Sequence, residues 1–106
     1  MLFRSAHIRR FLDQALAEEI DDAQVYNALA WFLAIRGAYP AEALQAAEKA
    51  YQLAPDDENV IDTLAEAHFA AGDPAEAARW EQQALELAPD NAFFKEQLAK
   101  FTEAAA

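Results

Sequence analysis

Residues Glu58 to Asn91 read ENVIDTLAEAHFAAGDPAEAARWEQQALELAPDN, two helix-length segments joined by Gly72-Asp73-Pro74 and stopped at Pro89. Shifting this stretch back by 35 positions lays Leu64-Ala65 on Leu29-Ala30 and Gly72 on Gly37. A shift of 34 lays Pro74, Ala77, Ala84 and Pro89 on Pro40, Ala43, Ala50 and Pro55, so one residue is inserted at the turn near Ala38-Tyr39. A forward shift of 34 sets Leu64-Ala65 on Leu98-Ala99, where the unit begins a third time. A period of this length with two helices per unit predicts a stacked helical array, each unit burying its apolar face against the next.

At Leu64, Ala65, Gly72, Ala77, Ala84 and Pro89, and again at Leu29, Ala30, Gly37, Ala43, Ala50 and Pro55, the chain resembles the tetratricopeptide repeat family. The resemblance covers about two thirds of the chain directly. It departs from the family pattern at the inserted residue and at His68, where an aromatic is usual. It implies an all-α fold of about six helices, a right-handed superhelical stack of antiparallel helix pairs. Within one domain spanning 1–106 it places a half-repeat helix over 1–20, repeats over 23–56 and 58–91, and a capping helix over 92–104. The function it implies is that of a protein-binding scaffold.

The bulk composition fits one small domain. The hydrophobic share of 55% is swollen by alanine, which predicts close helix contacts rather than a bulky core. The two glycines and four prolines all fall near predicted helix ends. With 19 acidic against 8 basic residues the formal charge is -11, which repels phosphate backbones and anionic lipid surfaces. Nucleic acid and membrane partners are thereby disfavoured, and basic or apolar protein segments remain. The same acidity also serves solubility in an alanine-rich chain. Without cysteine there is no disulfide, thiol nucleophile or thiolate metal site. No run of 18 apolar residues occurs and Met1-Leu2-Phe3-Arg4 lacks a signal-like apolar stretch, so a cytoplasmic location is expected.

Taken in order, residues 3–20 carry Ile8, Phe11, Leu12, Ala15, Leu16 and Ile20 at helical spacing. The tail of this first helix parallels those around Pro55 and Pro89, with Ile20 in the proline position, so it reads as the second helix of a preceding unit. Leu2, Phe3 and Phe11 are then candidates for an apolar patch that forms a homodimer or docks on another domain. Asp21 or Asp22 caps a second helix running to Arg36, with core positions Tyr26, Leu29, Ala30 and Leu33 and a stop at Gly37. Pro40 opens a third helix behind the poor cap Tyr39, whereas Asp73-Pro74-Ala75-Glu76 approaches a capping box. The fourth helix runs to Ala71 on Ile61, Leu64, Ala65 and His68, and the fifth spans Pro74 to Leu87. Asp90-Asn91 starts a sixth with Phe94, Leu98, Ala99 and Phe101 apolar, and Ala104-Ala105-Ala106 is expected to fray.

In the family the first helices of successive units form a concave wall that commonly binds a peptide. Helical spacing places three rows across this wall: Gln24, Asn59 and Phe93; Asn27, Asp62 and Glu96; Trp31, Glu66 and Lys100. Candidate peptide-binding residues are therefore Asn27, Trp31, Asn59, Asp62, Glu66, Phe69, Phe93, Glu96 and Lys100. The mixture of acids and aromatics suits a partner segment carrying Lys or Arg beside apolar anchors. Alternatively, Trp31 and Phe93 pack along the stack and the carboxylates form a solvated face. The family branch that clamps a carboxyl-terminal acid is disfavoured, because Lys100 is the only positive charge of the wall. His68 reads as a packed, hydrogen-bonded core residue, and no loop supplies the backbone oxygens a hard cation needs beside Asp62, Glu66 and Glu96. With no nucleophile beside a base, no phosphate loop and no metal-ligand spacing, neither catalysis nor a cofactor is expected.

Overall fold

The computed structural model describes residues 5–106, all of whose regular structure is helical: α1 Ser5–Ala17, α2 Ala23–Arg36, α3 Pro40–Leu53, α4 Glu58–Ala70, α5 Pro74–Leu87 and α6 Ala92–Ala105. Four starts are fixed by side-chain caps. Asp22, Asp57, Asp73 and Asn91 each accept a hydrogen bond from a backbone N–H of the first turn, satisfying a donor that has no intrahelical acceptor. Tyr39 supplies no such bond, and α3 starts on Pro40 alone. The capping box at α5 is half formed. Asp73 Oδ1 accepts from Glu76 N at 3.1 Å, while the Asp73 N–H donates to the carbonyl of His68 at 3.0 Å.

That last bond belongs to the end of α4. Gly72, at φ 89°, turns the chain left-handed and donates to Phe69 O at 3.0 Å, so one short link closes α4 and opens α5. Gly37, at φ 66°, does the same after α2, donating to Leu33 O and Ala34 O. At the end of α1 the left-handed residue is Glu19, at φ 55°, and Ile20 N donates back to Ala15 O at 3.2 Å. This turn stops α1 at Ala17, short of the expected residue 20; the expected start at residue 3 and the candidates Leu2 and Phe3 lie outside the described residues. At the other end α6 continues through Ala105 instead of fraying at Ala104, in keeping with alanine being the best helix former.

Consecutive helices α2 and α3, α4 and α5, and α5 and α6 pack side by side, and α4 also packs on α2 and α3. Alanine makes this possible: α3 buries Ala43, Ala46, Ala47 and Ala50, whose small side chains let its neighbours approach closely. Tyr26, Leu12, Leu33 and Leu64 fill the space between helices in the main core, and Phe94 and Phe101 fill two smaller clusters against α4 and α5. Tyr26 Oη donates to the Ala15 carbonyl at 3.2 Å, tying α2 to the last turn of α1. Helix α1 is otherwise held by Ile8, Leu12 and Ala15, and by Arg9, which reaches Gln45 and Glu42 of α3. No helix among the described residues is long and apolar enough to cross a membrane.

Candidate functional site

Position 60 to position 67 of α4 is buried at every residue. An amphipathic helix hides one stripe, but α4 has α2, α3 and α5 around it and side chains of α6 across it, so it hides all its faces. Asp62 and Glu66, expected on an open wall, are consequently only 5% and 7% exposed. They form neither an accessible strip nor a solvated face.

What surrounds them defines the site. Gln97 Nε2 donates to Glu66 Oε1 at 2.8 Å, and Lys100 Nζ lies 3.5 Å from the same oxygen. Lys100 Nζ also sits 5.0 Å from the centroids of both Phe69 and Phe101, whose rings are themselves 5.0 Å apart. Glu81 enters from α5 and is completely buried. Neither Glu81 oxygen, nor Asp62 Oδ1, nor Asn27 Oδ1, receives a hydrogen bond from an N–H or hydroxyl donor of the chain.

Two buried carboxylates without donors cannot both be ionised. Burial, the hydrogen bond to Asp62, and the charges of Asp62 and Glu66 push Glu81 up to about 10, against the weaker pull of Lys100. Protonated Glu81 then donates to Asp62. Asp62 is itself raised by burial and by the Glu66 charge, while hydrogen bonding from Glu81 and Gln97 and the charge of Lys100 work the other way. The cluster is therefore an acid–carboxylate pair beside a lysine-paired glutamate.

Of the sequence-predicted residues, the structure joins Trp31 to Phe93 edge to face, with centroids 6.3 Å apart, and joins Glu66 and Phe69 to Lys100. The Trp31–Phe93 pair meets across α4, diagonal to the expected rows, and leaves Phe93 46% exposed. Asn59 and Glu96 are exposed, and Asn27 is half-buried. Sequence reasoning missed Glu81 and Gln97. For Glu81 the signal was present, because it stands 34 positions after the buried Ala47 and at helical spacing between Ala77 and Ala84. His68 is not sealed in the core; it is half-buried beside a cleft shared with Glu48, Tyr51, Gln52, Leu64 and Trp80. Among the described residues no three His, Asp or Glu side chains are arranged to hold a metal ion. A scan against protein-family models finds no match to this chain, and a search of curated proteins finds none.

Proposed function

We propose that the chain is a non-catalytic interaction scaffold of the tetratricopeptide type, whose groove of α2 and α6 side chains binds a basic and apolar segment of a partner protein. The observation that carries this reading is the Trp31–Phe93 pair, an aromatic ridge on a strongly acidic chain, with Phe93 half-exposed. Aromatic side chains supply large contact area at low entropic cost, and the surrounding negative potential favours Lys and Arg on the partner. The repeat assignment is supported by the two helix pairs of like length, each turning at a left-handed glycine between its two helices, and by the packing of one pair on the other. A right-handed superhelical stack is the arrangement such pairs adopt in that family. No membrane or nucleic-acid partner is included in this reading, and a cytoplasmic setting goes with it.

The test is capture of peptides carrying Lys or Arg beside aromatic or aliphatic residues, by the native chain and by Trp31→Ala and Phe93→Ala. Loss of capture with unchanged helical circular dichroism is the expected result; retained capture by both variants would refute the groove. A second reading, assembly through α1, is favoured by one observation. Phe11 is 54% exposed beside an apolar groove that it lines with His7, Ile8, Leu29 and Phe32. Under that reading Phe11→Ser lowers the solution mass and leaves the Trp31 and Phe93 variants unaffected; under the first it leaves peptide capture intact.

A further inference from the structure

We propose that Glu66, Phe69 and Phe101 form a subsite for an aliphatic ammonium group, the end of a lysine side chain on a partner segment, with Lys100 as its resident occupant. This rests on the groove reading and specifies one contact within it. The two halves of the resident ion pair are unlike. The Glu66 side chain is 10% exposed and anchored by Gln97, whereas the Lys100 side chain is 47% exposed. The anion is thus a fixed, nearly dry feature of the fold and the cation is a solvent-side visitor on a flexible stem.

The rings complete a receptor for that cation. Aromatic faces attract an ammonium within about 6 Å of their centroids. Phe69 and Phe101 each stand 5.0 Å from Lys100 Nζ, with their planes inclined at 37°, so both rings flank a position that a compact ammonium already occupies. Lys100 fills it loosely, because its 3.5 Å contact to Glu66 is longer than the usual charge-assisted bond of about 2.7–2.9 Å. An ammonium carries three donors, and the hydrogen bond of Lys100 in the structure goes to Glu66.

The experiment uses the whole chain and a defined probe, Nα-acetyl-lysine N-methylamide, with its norleucine counterpart as the uncharged control. Lys100→Ala vacates this position. In this variant the lysine probe is expected to give saturable shifts of the Phe69 and Phe101 ring resonances, about ten-fold tighter than in the native chain. Adding Phe69→Leu or Glu66→Gln abolishes them, and the norleucine probe gives none. Absence of a saturable shift in Lys100→Ala with a native amide spectrum, or equal shifts from both probes, overturns the proposal. Lys100→Ser serves if the alanine variant does not keep the native spectrum. Failure of the groove reads differently: peptide capture would then ignore Trp31 and Phe93 whatever the lysine probe does. Failure of the subsite alone leaves capture dependent on those two rings but blind to lysine against norleucine.

Discussion

A carboxyl group sealed from water among other acids keeps its proton, and at Glu81 that proton has consequences for stability. Thirty-four positions earlier, on α3, stands Ala47, a fully buried methyl group, so α5 places an acid where the matching position of α3 needs only a small apolar contact. Folding raises Glu81 from an ordinary carboxyl to about 10, so between roughly pH 4.5 and pH 10 the folded chain holds a proton that the unfolded chain releases. Its contribution is most favourable below the unfolded value and declines as pH rises through this window. Glu81→Gln keeps a donor for Asp62 and removes the titration. Urea denaturation is expected to show this variant more stable than the native chain by on the order of 1–2 kcal/mol at pH 8, with the two converging toward pH 4.5. A difference that does not change with pH would mean that Glu81 is ionised in the fold. The sequence locates the residue, since its distance from Ala47 puts it on a buried stripe. It does not reveal that Asp62 and Glu66 lie opposite, because that meeting joins three helices and no single helical period records it.

Among the elements, the two proline-started helices α3 and α5 form a natural experiment on capping. α3 and α5 share a proline start and an alanine stripe, but α5 has Asp73 and α3 has Tyr39. An N-cap acid contributes about 1 kcal/mol to its helix. Amide hydrogen exchange is therefore expected to be slower at Glu76, whose N–H is held by Asp73, than at the equivalent Glu42, and Asp73→Ala should bring Glu76 to the Glu42 rate while costing about 1 kcal/mol. Equal rates in the native chain would show that packing, not the cap, governs these first turns. Most helix boundaries were legible because prolines, acids and glycines mark them with local chemistry. The end of α1 was not, since there a glutamate takes the left-handed turn that glycine takes elsewhere. The burial of α4 was also hidden: its own sequence shows an apolar stripe on Ile61, Leu64 and Ala65, and only its central place among α2, α3, α5 and α6 covers the polar face as well.

For the molecule as a whole, a formal charge of -11 is spread over 6041 Å² of surface, so self-repulsion opposes compactness. Favourable pairs offset little of it. The ion pairs among the described residues are Arg9 with Asp13 and Glu42, Arg79 with Glu76, and Lys100 with Glu66, and each includes a basic side chain at least 37% exposed. Such pairs contribute about 0–1 kcal/mol each. Raising monovalent salt from about 10 mM to 0.3 M shortens the screening length from roughly 30 Å to under 10 Å, which relieves the repulsion across the whole surface and weakens only these few attractions. The melting temperature is expected to rise over this range. The same screening acts with the opposite sign on recognition, because the field that strains the fold is the one that draws in a basic segment; its association rate constant should fall at least several-fold over the same interval. Thermal melts and stopped-flow binding in one salt series therefore test a single cause by two readouts. A melting temperature that rises while the association rate stays flat would leave the acidity as a device of solubility alone, and would move the attraction for a partner from the long-range field to the short-range contacts of Trp31 and Phe93.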